Sequence, residues 1–405
     1  MSAAARLWVV GTFDTKAEEL LYLARLIRQA GVLVRTVDIG TRGGSQGADI
    51  SADEVASCHP QGAGQVLGST DRGQCVIAMG EALRRLVAER HAAGQISGMI
   101  GIGGSGGTSM IAPALHELPY GMPKVLVTTM ASGHTTSFVD VYDIMVVNPV
   151  TDLAGLNRLS RRILANAAHA IAGMVLHPAP AAPPDERPAL GLTMFGVTTP
   201  CVQAVATHLS AQFDCQIFHA NGSGGRTLEA LARGGMLAAV VDITTTEVGQ
   251  HLAGGVCDAG PDRLAAAADL GLPWVGSVGA LDMINWGPKS TIPPQHAGRL
   301  FHVHNAHVTL MRSTAQELER AGLRIAQQLN RSNGPVHLLL PLKGLSALDA
   351  PGQAFHDPQA NAALFEAIER EFEPTPQRRL LKVPMHINDP DFARLVADTV
   401  NALPL

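Results

Sequence analysis

Met99-Ile100-Gly101-Ile102-Gly103-Gly104-Ser105-Gly106-Gly107-Thr108-Ser109 is the stretch that decides the fold class of this chain. Its first four residues are an apolar run that reads as a strand. Thr108 to Leu115 then reads as a short helix. An apolar run that breaks into glycines and resumes as a helix is the turn of a strand–helix unit. Free N–H groups at a helix start, beside glycines that let a ligand approach the backbone, form an anion cradle. Gly103, Gly104, Ser105, Gly106, Gly107 and Thr108 are therefore candidate binding residues, with hydroxyls from Ser105, Thr108 and Ser109. The spacing is neither G-x-x-x-x-G-K-[ST] nor G-x-G-x-x-G, so it marks neither a P-loop nor a standard dinucleotide fingerprint. A tight turn without a ligand is the other reading of the same residues.

The same grammar extends outward in both directions. Leu7 to Val10 is an apolar run, and Lys16 to Ala30 has helical spacing with Leu20, Leu23, Ala24 and Ile27 on one stripe. Val32 to Val37 predicts a second strand, ending at Asp38, and Gly31 stops the helix before it. A glycine-rich loop over 40–64 is expected next, then a helix from Gly73 to His91, strands at Lys124 to Thr128 and Ile144 to Val147, and a helix from Asn157 to Val175. Leu190 to Phe195, Gln216 to His219 and Leu237 to Ile243 predict further strands, separated by helices at Pro200 to Phe213 and Arg226 to Arg233. Short apolar runs each followed by a helix are the signature of a buried parallel sheet. The expected class is α/β, with two Rossmann-like lobes and mostly parallel sheets. His177 to Pro188 carries five prolines, which exclude a helix interior or central strand, so lobes of 1–177 and 189–405 flank a linker at 178–188. Gly104 to Thr108 and Gly222 to Arg226 repeat one pattern, a faint sign of two related units.

In parallel sheets ligands sit beyond the C-terminal strand ends. Gly11-Thr12-Phe13-Asp14-Thr15-Lys16 lies at one such end, and Thr12, Asp14 or Thr15 can cap the following helix. Capping does not account for Lys16, a cation set against the positive helix start, which is useful beside a bound anion. Thr129, Ser132 and Gly133 follow the strand that ends at Thr128, and Asp38 stands where an acidic residue accepts ribose hydroxyls in Rossmann sites. In the second lobe Gly222, Ser223, Gly224, Gly225 and Arg226 form a second candidate cradle, with Asp242 at the next strand end as a further substrate-binding candidate. His219, Glu247 and Asp282 are acid–base candidates if the fold brings them to one cleft. His302, His304 and His307 invite a metal reading, but no carboxylate or cysteine completes a diagnostic set, and packed or hydrogen-bonded histidines are the simpler expectation. Met110, Met122, Met130 and Met145 are expected as core filler.

Composition narrows the function classes. Of 405 residues, 46% are hydrophobic and 16% charged, and the net charge of −5 offers no field to hold a nucleic acid. No run of about 18 apolar residues predicts a membrane span, and the first ten residues lack a secretory pattern. Five scattered cysteines without a C-x-x-C pair suit reduced thiols in a cytoplasmic protein.

Gly11 to Lys16, Gly103 to Thr108 and Met130 to Gly133 resemble the motifs of a largely uncharacterised bacterial family related to the ATP-binding N-terminal domain of the tomato mosaic virus resistance protein. Phe218 to Ala220 with Gly224 to Arg226, Asp258 to Arg263, Gly279 to Met283, His304-Asn305, Thr309 to Arg312 and His386 to Asp389 carry the resemblance through the second lobe. It implies a first lobe that binds ATP, with Mg2+, through Gly11 to Lys16, Gly103 to Thr108 and Thr129 to Gly133, and a homodimeric assembly. The plant protein's antiviral role is not carried over. The expected function is ATP binding by the first lobe, with a second small-molecule ligand between the lobes and neither nucleic acid nor membrane as partner. A metabolic enzyme acting on a small carboxylated or phosphorylated molecule, with acid–base residues from the second lobe, is the alternative. A non-catalytic interaction protein is the third.

Overall fold

The computed structural model of the chain describes residues 5–42, 47–133, 135–178 and 187–404. It divides into two compact units, Met1–Ala182 and Pro183–Leu405. Most of the proline-rich linker, 179–186, lies outside the described residues.

Unit one runs β1 (Arg6–Gly11), α1 (Phe13–Gln29), β2 (Val34–Asp38), α2 (Ala52–Ser57), α3 (Ala63–Leu67), α4 (Arg72–Ala92), β3 (Ile96–Gly103), α5 (Ser105–His116), β4 (Lys124–Thr128), α6 (Thr136–Val139), β5 (Met145–Val147) and α7 (Arg158–Leu176). Its five strands pair in parallel in the order β2-β1-β3-β4-β5. Along β1, Trp8 and Val10 enter one core with residues of α4 and α5, while Leu7 and Val9 enter the opposite core with α1 and α7. Both faces are covered, which is why β1 reads as an unbroken apolar run. The chain steps from β1 outward to β2, then crosses back to β3 on the other side of β1. The C-terminal ends of β1 and β3 therefore diverge into opposite loops, a topological switch point.

Unit two runs β6 (Ala189–Met194), α8 (Thr199–Leu209), β7 (Asp214–His219), α9 (Ser223–Arg233), β8 (Ala239–Asp242), α10 (Thr246–Ala253), α11 (Ala265–Leu270), β9 (Trp274–Ser277), β10 (Met283–Trp286), β11 (Phe301–Asn305), β12 (Val308–Arg312), α12 (Ala315–Asn330), β13 (Val336–Pro341), α13 (Pro358–Glu371), β14 (Arg378–Val383) and α14 (Pro390–Asn401). Six strands form a parallel sheet in the order β14-β13-β9-β8-β6-β7. Counted from β6, this is the strand order of unit one extended by one strand. Between β9 and β13 the chain inserts a separate antiparallel sheet, β10-β12-β11.

Several sequence expectations change. The 40–64 loop holds α2 and α3, with Ser51 capping α2 by accepting the Glu54 amide. Helices α5 and α9 start at Ser105 and Ser223, so their glycines sit inside the first helical turn. Glycine's low helix propensity points to a later start, but the packing described below outweighs it. Finally, the echoed glycine motifs are not equivalent in the fold, since one follows the third strand of its unit and the other the second. Met110 is core as expected and Met122 packs against it, whereas Met130 and Met145 are exposed.

Candidate functional site

The switch point of unit one is built by glycines with different tasks. A Cβ on Gly103 would stand 2.7 Å from the Thr108 amide nitrogen, and one on Gly101 would strike Ile111, so these two let α5 press onto β3. Around a Cβ on Gly106 nothing lies within 4 Å, so the backbone there faces open space. Gly104 is the N-cap residue of α5 and offers no side-chain cap. The Ser105, Gly106 and Gly107 amides consequently have no protein acceptor among the described residues. The neighbouring loop locks onto the same helix start. Thr108 and Thr128 share a buried hydroxyl–hydroxyl hydrogen bond of 2.6 Å, and the Met130 amide donates to Thr128 Oγ1. This holds Thr129 near Gly104, where a Cβ would approach its Oγ1 to 3.7 Å. Ser132 and Gly133 lie exposed beyond it, and His134 lies outside the described residues.

The β1 loop closes the other side. Thr12 is the N-cap of α1 but gives no side-chain cap; its hydroxyl pairs with that of Thr15 at 2.8 Å. Asp14 and Thr15 are exposed. Asp38 is 1% exposed, and its Oδ1 accepts the amides of Phe13 at 3.0 Å and Gly40 at 2.7 Å. Its role in the structure is to clamp the β1 and β2 loops together. Lys16 is half-buried and donates to the Leu153 carbonyl at 2.8 Å, at a residue whose non-helical φ/ψ kinks α1.

The corresponding switch point of unit two is filled by its own side chains. Glu247 Oε1 accepts the amides of Gly222 at 2.6 Å and Gly225 at 3.0 Å, so a carboxylate of the chain itself occupies the start of α9. Arg263, fully buried, donates to Glu247 at 2.7 Å and bidentately to Asp242 at 2.6 and 2.7 Å, with Glu229 at 3.6 Å. Burial disfavours the Arg263 charge, but Asp242 and Glu247 outweigh it and hold the guanidinium more strongly protonated than usual. Glu229 is pushed up by burial, against the pull of Arg263 and the Ala266 and Leu264 amides. Leu264 beside them adopts a left-handed φ of 74°, and Glu229 holds its amide. Arg226 donates to the Asp258 carbonyl at 3.2 Å, while Ser223 and Gly224 turn to Asn221.

Among the described residues, His219, Glu247 and Asp282 share no hydrogen bond or ion pair. His219 is exposed and stacks on Phe195, Glu247 belongs to the Arg263 network, and Asp282 accepts a 2.7 Å bond from Ser346. Burial, with repulsion from Asp349, pushes the Asp282 carboxyl up to about 7. Both Asp282 Oδ1 and Asp349 Oδ1 are buried without a hydrogen-bond partner. Arg312 closes this second network by donating to Asn361 at 2.9 Å and to the carbonyls of Phe355 and Asp282, and Asn361 in turn donates to Asp349 at 2.6 Å. Sequence reasoning missed Arg263, Arg312, Asp349 and Asn361. Their one signal was that Arg263 and Arg312 end two of the motifs that carry the family resemblance. His302 and His304 lie on the exposed strand β11 and His307 in the turn after it, and no cluster of metal-ligating side chains occurs among the described residues. Burial raises the thiols of Cys58, Cys201, Cys215 and Cys257, which leaves them un-ionised near neutrality. No helix among the described residues is long and apolar enough to cross a membrane.

This architecture defines a two-unit, doubly wound α/β protein whose first switch point is open and whose second is closed by an internal ion network. The chain belongs to the uncharacterised protein family UPF0261: the family's N-terminal domain matches residues 5–180 and its C-terminal domain residues 187–403. It is 54% identical over 392 residues to a UPF0261 protein of Mesorhizobium japonicum, spanning 97% of this chain and 98% of that one. It is 39% identical over 419 residues to the ToMV susceptible protein tm-1(GCR26) of Solanum lycopersicum, spanning 98% of this chain and 56% of the tomato protein. Among solved structures, the UDP-GlcNAc 2-epimerase of Methanocaldococcus jannaschii aligns over 67% of this chain and 83% of its own at 8% identity, with a TM-score of 0.22, too low to bear on function.

Proposed function

We propose that unit one binds a nucleotide of the ATP class, with its phosphates against the first turn of α5. The observation that carries this reading is the uncapped helix start, where the Ser105, Gly106 and Gly107 amides open onto free space beside Gly106 at the switch point. Thr129 and Ser132 supply hydroxyl donors from the β4 loop. The exposed Met130, 40% accessible, offers an apolar surface for a base. Lys16, tied to a carbonyl through one of its three donors, adds positive charge on the β1 side. The cradle itself presents N–H donors, which do not ligate cations. Mg2+ favours oxygen ligands and usually binds through one or two carboxylates together with substrate phosphates. The exposed Asp14, with the Thr12 and Thr15 hydroxyls beside it, is the oxygen set that fits, so the cation would be held jointly by Asp14 and the nucleotide. Asp38 contributes by clamping the loops.

Isothermal titration of the full chain with ATP, ADP and inorganic phosphate tests the reading. Saturable nucleotide heat, much stronger than that of phosphate, is expected. Phosphate binding as tightly as ATP, or no nucleotide heat, would overturn it.

A further inference from the structure

A cavity of about 610 Å³ opens beyond the C-terminal ends of β13 and β14, the edge of the second parallel sheet where ligands are expected. Its wall includes Lys343, His356, Asn361, His386 and Asp389. Pro358, the first residue of α13, and Asp389, the N-cap residue of α14, line it, so two helix starts border the cavity, the first capped by Asp357. Lys343 is exposed; its backbone amide donates to the Met385 carbonyl, and its ammonium has no hydrogen-bond or ion-pair partner among the described residues.

Behind the wall lies a built acid–base arrangement. Asp349 is fully buried; its Oδ2 is taken by the Leu345 amide at 2.9 Å and by Asn361 at 2.6 Å. Its Oδ1 has no hydrogen-bond partner and lies 3.8 Å from Nδ1 of the cavity-lining His356. A buried carboxylate with one oxygen spent on positioning and the other directed at an imidazole is the arrangement that orients a histidine and stabilises its protonated form. The other groups around the pair are Asp282 and Arg312 on the buried side, joined to it through Ser346 and Asn361, and Lys343, His386 and Asp389 on the cavity side. His386 is committed elsewhere: its Nδ1 accepts the Asn388 amide at 3.1 Å, so Nε2 carries the proton it gives to the Ser346 carbonyl at 3.0 Å. Gly344, at φ 138°, packs against His386 and the Asp349 carbonyl with no room for a side chain, which fixes the loop that carries the carboxylate. Ala280, next but one to Asp282, adopts a left-handed φ of 57°, and such strained backbone concentrates at functional sites.

We propose that this cavity binds a small metabolite bearing a carboxylate or phosphate, with Lys343 holding the anion and the Asp349–His356 pair exchanging a proton with the rest of the molecule. In the forward direction His356 takes a proton at Nε2 from a hydroxyl or activated C–H of the ligand. The imidazolium hydrogen on Nδ1 then faces Asp349, the ligand is left as its conjugate base, and no other bond changes. This site is independent of the nucleotide reading. It also draws its acid–base pair from residues other than His219 and Glu247.

Histidine-selective NMR of the full chain, with malonate and inorganic phosphate as probes, tests the proposal. The His356 signal is assigned through His356→Gln. One or both anions are expected to shift the His356 resonance saturably. Lys343→Ala, at an exposed position, should weaken that response about tenfold. Asp349→Asn should move the His356 imidazole resonances in the free protein, a change that an Asp349 serving the Leu345 amide alone would not produce. If Asp349→Asn does not fold, Lys343→Ala decides. A His356 signal unmoved by either anion, or moved equally in Lys343→Ala, overturns the proposal. The same response in Gly106→Asp, which closes the cradle of unit one, separates the fate of this site from that of the nucleotide site.

Discussion

At the scale of single residues, Gly106 separates folding from binding. A side chain there meets nothing, and an acidic one at a helix start complements the helix dipole. Gly106→Asp is therefore expected to raise stability by about 0.3–1 kcal/mol while weakening ATP binding at least about tenfold, read by thermal unfolding and calorimetry on one preparation. Arg263 is the opposite case. Removing it leaves Asp242 and Glu247 buried without their cation, so Arg263→Met should destabilise unit two by about 3–5 kcal/mol in urea unfolding followed at Trp274 and Trp286. Asp282 makes a pH prediction. Its folded pKa of about 7 lies above that of an unfolded aspartate, so between roughly pH 4 and 7 the folded chain binds more protons and stability falls as pH rises. Asp282→Asn should flatten that slope and gain on the parent, on the order of a few kcal/mol by pH 7. Parallel curves for the two proteins would contradict the assignment.

At the scale of elements, the start of α5 depends on how closely it lies on β3. Gly103→Ala would put a methyl 2.7 Å from the Thr108 nitrogen and 2.8 Å from Gly107. The helix start must shift, at a cost of about 1–3 kcal/mol, and nucleotide affinity should fall with it; a variant with unchanged melting and unchanged affinity would refute this packing role. Here the sequence was informative because strand, glycines and helix are contiguous, so one local pattern carries both the turn and its donors. The helix boundary was not legible, since the first turn is set by the close packing of Gly107 and the Thr108 amide on Gly103 at the end of β3. In α9 the same residue types are closed by Glu247, a residue 22 positions after Gly225. No local pattern distinguishes an open cradle from one filled by a distant carboxylate.

At the scale of the whole molecule, the parallel sheet of unit one and the β6, β7 and β8 strands of unit two were readable as short apolar runs each followed by a helix. Exposure accounts for part of what was missed: β14 reads Arg378-Arg379-Leu380-Leu381-Lys382-Val383 and is half-exposed, but β9, β10, β12 and β13 are buried and escaped notice as well. The buried networks escaped for another reason. Arg263 and Arg312 drew notice only as the ends of two resemblance motifs, because their partners Asp242, Glu229, Asn361 and the Phe355 carbonyl lie far from them in sequence. The two units share a strand order but use their switch points differently, one left open and one neutralised from within, and that contrast is why the nucleotide proposal is made for unit one. The most direct test follows the backbone amide signals of Ser105, Gly106 and Gly107 by heteronuclear NMR during an ATP titration. These three signals should shift together, saturate with the calorimetric affinity and become protected from solvent exchange. ATP binding that leaves all three unmoved would contradict the account.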